Sequence, residues 1–342
     1  MVRTGVCFLA ISLIVAGCKS GVAEMDPASY LKDTVVIGVN EGIPGWSEYV
    51  NGVRGGFDTG LAKWLGEEIG FRPQFTNVTT AERMGKLEDT GSGVKLVIAN
   101  FSITDKRRET IDFVGPYFID RQSFLTLREA NLVELSQLDG ARVCMTSGST
   151  SQIRLGDKRE VGGITVIAVP ENTHQRCVER LKSGDVTAVT SDLIILESFA
   201  ARDPQTLRVT GKPFGTERYG IGLPNNRPRL CEFLKPYLEK FINRVWLQRF
   251  DDIWPSGVSP ADRRPDSGSL DPCQQPDQAL AAAAAMATAT YIRSAGMRRR
   301  GGRHRTDPDG VPGAAPIASR RRNRLGGCDI RLLGRTTSPT RS

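Results

Sequence analysis

Histidine is scarce in this 342-residue chain, which holds only His174 and His304. A Ser-His-Asp or Cys-His site in the folded part would have to use His174, and no nucleophile signature stands near it. No GxSxG elbow, HExxH helix or GxxxxGK[ST] loop occurs either. Seven cysteines are present, but their spacing matches no CxxC-type ligand pattern, and two histidines cannot complete one. No catalytic role, cofactor or metal is therefore expected. Past the first seventeen residues no apolar run approaches 18, so no transmembrane helix is expected. Lysine is missing from residues 261–342, which carry fifteen Arg against seven Asp and so hold the whole formal charge of +8. Residues 1–260 are neutral, and nucleic acid is not an expected partner.

The chain opens with a short basic region at Arg3 and the apolar run "VCFLAISLIVAG", Val6–Gly17, too short to span a bilayer comfortably. The "VAGC" that ends it resembles a bacterial lipobox, which implies that residues 1–18 are a lipoprotein signal in which Cys18 is lipidated and becomes the mature N-terminus. The expected location is extracytoplasmic, anchored to the cell membrane by lipid. That compartment permits disulfides. Cys144, on the strand-like "ARVCMT", and Cys177, in the helical "HQRCVERLKSG", lie in the same half of the chain. Their pairing is favoured over two buried free thiols.

Residues 19–33 read as a linker. After it, "TVVIGVN" is a β-branched strand, and "GFDTGLAKWLGEEIGF" spaces Leu61, Trp64, Leu65 and Ile69 as a helix does. "KLVIAN", "ARVCMT", "ITVIAV" and "VTAVTSD" read as further strands, with helices near Thr150–Arg154 and His174–Ser183. That alternation argues an α/β protein with mostly parallel sheets. Lys235–Trp254 reads as a closing pair of amphipathic helices. Residues 259–342, rich in Arg, Ala and Gly, lack apolar periodicity and are expected to be disordered.

The stretch "NFSITDKRR" places Asn100, Ser102 and Thr104 before Arg107 and Arg108. A free amino acid carries a carboxylate and an ammonium on one carbon. Holding it takes a bidentate guanidinium with hydroxyl or amide donors for the first, and a carboxylate for the second. Ser102, Thr104 and Arg107 converge where a strand ends and a helix begins, and helix N-terminal amides favour an anion. Arg108 reads better as a surface group.

Together, "SITDKRRETIDFVGPYF", "GFDTGLAKWL", "SGSTS" and "VTAVTSD" resemble the polar amino-acid-binding proteins of ABC importers, extracellular solute-binding proteins of family 3. The resemblance runs from about Val35 to Trp254. It implies the type II periplasmic-binding-protein fold, two α/β lobes joined by two hinge strands and closing over a ligand. The implied first lobe is residues 34–118 and 217–258, the second 119–216. The resemblance gives Arg107 the ligand α-carboxylate, with Asn100 and Ser102 beside it and Ser149 and Thr150 facing it from the second lobe. Asp192 is the implied partner of the α-ammonium, against the alternative of a plain helix cap.

Arg83 stands where glutamate- and aspartate-binding members carry a side-chain arginine, and the His174 segment, like Cys144 and Cys177, resembles actinobacterial glutamate-binding lipoproteins. Expected partners are therefore glutamate or aspartate and an importer permease, with the receptor a monomer. Glutamine is the alternative ligand. An enzyme of the same fold, resembling cyclohexadienyl dehydratases, or an amino-acid sensor are the alternative roles. Asn40, Glu41 and Trp46 depart from the family pattern near the first strand; Trp46 lines the cleft or packs.

Overall fold

The computed structural model describes residues 25–157, 159, 161–254 and 258–274. The signal segment with Cys18 and the tail beyond residue 274 lie outside the described residues.

In chain order the elements are α1 (Pro27–Tyr30), β1 (Asp33–Val39), β2 (Glu48–Val50), β3 (Val53–Gly55), α2 (Phe57–Ile69) and β4 (Phe71–Asn77). Then come α3 (Arg83–Glu88), β5 (Val94–Val97), α4 (Asp105–Arg108), β6 (Asp112–Leu127), β7 (Arg142–Thr146) and α5 (Thr150–Arg154). The last are β8 (Ile167–Glu171), α6 (His174–Lys182), β9 (Ala188–Asp192), α7 (Leu193–Arg202), β10 (Leu207–Leu223), α8 (Pro228–Arg244) and α9 (Trp246–Ile253).

Eight strands form one sheet in the order β4-β1-β5-β10-β6-β9-β7-β8. At one end β1 runs parallel to β4 and β5; at the other β7 runs parallel to β8 and β9. Between them stand the two longest strands, β6 and β10, antiparallel to each other from Asp112↔Leu223 to Leu127↔Leu207. Parallel strands need crossover helices, so each end becomes an α/β unit with helices on its faces. Among the described residues β6 and β10 join one unit to the other, and the expected lobe boundaries at 118/119 and 216/217 fall inside those strands. This is the two-lobed α/β architecture anticipated. The expectation of mostly parallel pairing holds within each lobe and fails at the crossing.

The helices follow from their sequence. Gly70, at φ 94°, ends α2 in the left-handed conformation that glycine adopts without penalty. Thr104, Ser149 and Thr173 each accept a backbone N–H at the starts of α4, α5 and α6. An aromatic cluster fills the space beneath β6 and β10: Trp46 is fully buried against Phe57, Phe118, Tyr219 and Trp254. Trp46 therefore packs and does not line the cleft.

Cys144 and Cys177 are paired, joining β7 to α6 with their Cα atoms 5.5 Å apart. A second disulfide, Cys231–Cys273, was not foreseen. It ties α8 to a segment that composition assigned to disorder from residue 259, and that expectation fails over residues 259–274. Here Arg263 is buried, donating to Asp120 at 3.2 Å and Glu197 at 2.6 Å, while its carbonyl accepts the Ile119 N–H. Asp271 pairs with Arg108 and Arg218. A few ion pairs and one disulfide order a stretch without apolar periodicity, and those interactions leave no hydropathy signal. Arg108, read as a surface group, is thus partly buried in an ion pair. At the N-terminal side, part of the expected linker also packs: Asp26 caps α1 and Leu31 is 1% exposed.

Candidate functional site: a polar cavity between the lobes

In a parallel α/β sheet, ligands sit beyond the carboxyl ends of the strands, where loops diverge. Here the ends of β1, β5, β7 and β9 deliver Asn40, Asn100, Thr146 and Asp192 to one narrow cavity of about 20 Å³. That is roughly the room a single water molecule needs. The lining is almost wholly polar. Ser102 comes from one lobe, Ser149 and Thr150 from the start of α5, and Ile195 is its one large aliphatic side chain. Among the described residues no Phe, Tyr or Trp lines it.

Seven of the eight expected ligand-binding residues line this cavity: Arg83, Asn100, Ser102, Ser149, Thr150, His174 and Asp192. Arg107 does not. Its Nη1 donates to the Ser102 carbonyl at 2.6 Å and its Nη2 to the Gly148 carbonyl at 3.0 Å, so it ties α4 to the loop before α5. Gly148 makes that approach possible. It has φ +73° and a Cβ there would stand 3.0 Å from the Ala81 Cα. The two Arg107 bonds use two of the five N–H groups of its guanidinium.

Arg83 is 3% exposed and held by backbone carbonyls: Nε by Thr80 at 3.1 Å, Nη1 by Ala99 at 2.9 Å and Asn100 at 2.8 Å. Burial, and then the neighbouring Arg107, lower its pKa to about 9, which leaves it cationic at neutral pH. Among the described residues neither Arg83 nor Arg107 makes a salt bridge; both lie against the face of Phe101, at 4.5 and 5.0 Å. Two guanidinium groups are thus buried together without a paired carboxylate.

Asn100 has φ 48° and its backbone N–H is held by Asp58 Oδ2 at 3.0 Å. Its side-chain amide is buried with neither Oδ1 nor Nδ2 partnered, which is costly unless a ligand supplies the partners. Asp58 itself also accepts from the Tyr117 hydroxyl at 2.7 Å; burial raises its pKa to about 7.

Asp192 occupies the N-cap position of α7 but makes no capping bond. The Ile194 N–H goes instead to Asp120. The Asp192 carboxylate accepts from Tyr219 Oη at 2.5 Å, and Gln122 Nε2 stands 3.4 Å from its Oδ1. Burial first, then Glu217 and Asp120, raise its pKa well above the ordinary carboxylate value. His174 is buried with Nε2 3.0 Å from Ser191 Oγ. Burial, then Arg83, push its pKa down to about 3, so the ring is neutral.

Sequence reasoning missed Glu217 and Gln122, both essentially inaccessible. Alternation offered a signal. Asp120 and Gln122 share one face of β6, Glu217 and Tyr219 one face of β10, and polar residues on a buried face need a purpose.

Residues 35–257 match the family model of bacterial extracellular solute-binding proteins, family 3. The chain belongs to that family. Among curated relatives, the ABC transporter glutamine-binding protein of Bacillus subtilis is 28% identical over 261 residues, covering 72% of this chain and 92% of its own. The glutamate-binding protein of Corynebacterium efficiens is 30% identical over 164 residues, covering 46% of this chain; the match spans about half of that relative, 54%. Among solved structures, the L-cysteine solute receptor of Neisseria gonorrhoeae has a TM-score of 0.61 at 20% identity, covering 68% of this chain and 96% of that one. An ancestral arginine-binding protein bound to glutamine has a TM-score of 0.58 at 25% identity, covering 65% and 98%. These likenesses support an amino-acid solute-binding protein of an ABC transporter.

Proposed function

We propose that this protein is an extracytoplasmic receptor that captures an acidic amino acid, glutamate or aspartate, and delivers it to an importer permease. One observation carries the choice of ligand: among the described residues, two buried guanidinium groups, Arg83 and Arg107, have no paired carboxylate, and Asp192 is the one carboxylate that lines the cavity. Buried charges are normally paired. A ligand with two carboxylates and one ammonium complements that set.

In this reading Arg107 and the start of α5 take the α-carboxylate, Asp192 the α-ammonium, and Arg83 the side-chain carboxylate. Neutral His174 and the Asn100 amide complete the hydrogen bonding. The ligand then bridges both lobes and holds them closed. The receptor acts as a monomer, anchored through lipid on Cys18. Glutamine is the second reading. The free Asn100 amide, donor and acceptor at once, matches a ligand amide, and glutamine is the ligand named for the Bacillus relative.

Calorimetric titration of the purified protein with glutamate, aspartate, glutamine, arginine and a prephenate-like acid separates these readings. Acidic ligands are expected to bind most tightly. A preference for glutamine would transfer the assignment to the second reading, and a preference for arginine would remove both. Turnover of the cyclic acid would make the protein an enzyme.

A further inference from the structure

Glu217 lies on β10, outside the cavity lining, and is 1% exposed. Its Oε1 accepts from Gln122 Nε2 at 2.8 Å and Arg154 Nε at 2.9 Å; its Oε2 accepts from the Thr150 hydroxyl at 3.0 Å. Thr150 and Arg154 are the first and last residues of α5, so one carboxylate on a crossing strand grips both ends of the helix whose start faces the cavity. Gln122 adds the second part. Its Nε2 stands within reach of three oxygens: Glu217 at 2.8 Å, Thr150 at 3.1 Å and Asp192 at 3.4 Å. An amide nitrogen has two hydrogens. The two shorter contacts claim both, which leaves Asp192 Oδ1 as the oxygen with capacity for an incoming donor.

We propose that Glu217 is the positioning residue of the second-lobe half-site. It fixes Thr150 at the cavity wall and, by keeping Gln122 engaged, leaves Asp192 Oδ1 open to the ligand ammonium. The inference rests on the amino-acid receptor reading.

Its consequence is a proton. In the free protein, burial and the negative charge of Glu217 make Asp192 hold its proton to higher pH than an ordinary carboxylate does. An ammonium bound at Asp192 favours the ionised form, so binding expels that proton. Affinity then falls as pH drops through the free-state pKa of Asp192. The other groups acting on Asp192 are Asp120 on β6, Tyr219 on β10 and Arg83 on α3. Further charge comes from Arg107 on α4, and Arg154 on α5 pairs with Glu217; His174 on α6 is neutral.

The test is calorimetry of the whole protein with glutamate, whose own groups keep their charge from roughly pH 5.5 to 8. Titrations in buffers of different ionisation enthalpy count the protons released. Wild type is expected to release protons on binding, increasingly so toward the acid end. Glu217→Gln keeps the side-chain shape and removes the charge. It should move the acid loss of affinity to lower pH and reduce the proton count, with less than tenfold change in affinity at pH 8. Glu217→Ala should weaken binding by more than tenfold at every pH; if it fails to fold, the wild-type and Glu217→Gln proton counts decide alone. If Glu217→Gln matches wild type in pH profile and proton count, the role assigned to Glu217 is wrong. If wild type binds no amino acid, it is the receptor reading that fails.

Discussion

Asp120 Oδ2 accepts the Ile194 N–H at 2.9 Å, although Asp192 holds the N-cap position of the same helix. Capping and ligand pairing, which a single aspartate would have to combine, are divided between two residues. Losing a capping side chain costs typically ~1 kcal/mol. Asp192→Ala should therefore abolish amino-acid binding while lowering the melting temperature little. Asp120→Ala should destabilise the protein by more than a simple cap loss, because it also removes one of the two carboxylates that hold buried Arg263. Thermal melts beside calorimetry check both. A Asp192→Ala variant that binds normally would show that its carboxylate is not part of the site.

Arg83 separates ligands by charge. Replacing it with Met removes the cation beside the expected side-chain carboxylate and leaves the Ala99 and Asn100 carbonyls without their donor. Stability should drop for every ligand state alike. The difference between ligands is the diagnostic quantity: glutamate should lose ~2–4 kcal/mol more than glutamine, the range for a charged partner removed at a binding site. Equal losses would make Arg83 a structural residue that pins the β5 loop.

His174 gives a pH dependence of defined sign. Its folded pKa, about 3, lies below the ~6.5 of an unfolded chain. The unfolded chain therefore takes up the proton first as pH falls, and stability is lost from about pH 6.5 downward. His174→Gln should lose less stability than wild type between pH 6.5 and 4. Between pH 6 and 8 its effect on glutamate affinity should be constant. Melting curves across this range and titrations at three pH values test both statements.

The C-terminal segment divides at Gln274. Stopping the chain after Gln274 should leave stability and binding unchanged. Stopping it after Trp254 removes Cys273 and the buried Arg263. Breaking a buried pair costs ~3–5 kcal/mol, and a disulfide closing a loop of this size stabilises by ~2–4 kcal/mol. The shorter protein should melt at a clearly lower temperature. Equal melting temperatures would mean that the segment rests on the fold without supporting it.

The fold was legible because its signals are local. β-Branched runs mark β1 and β9, capping threonines mark the helix starts at Thr104 and Thr173, and the Cys144–Cys177 pair joins a strand to its neighbouring helix. The cavity residues were legible where a motif sits at a strand end, as with Asn100, Ser102 and Asp192. Long-range polar chemistry was not. Glu217 meets Thr150 across 67 residues and Arg263 meets Asp120 across 143, and no periodicity records such pairs. The protonation state of His174 is not legible in the sequence for a related reason: desolvation by residues distant in the chain decides it.

The central claim is that the interlobe cavity holds an amino acid through its α-carboxylate, its α-ammonium and a side-chain carboxylate. Isothermal titration of the purified protein with glutamate and glutamine at pH 7.5, repeated with Asp192→Ala and Arg83→Met, tests all three together. The account predicts saturable one-to-one binding with glutamate ahead of glutamine. It also predicts no binding to the Asp192 variant and a reversed or erased preference in the Arg83 variant. Wild-type protein that binds neither amino acid, or binds both equally with the preference unmoved by Arg83→Met, would contradict it.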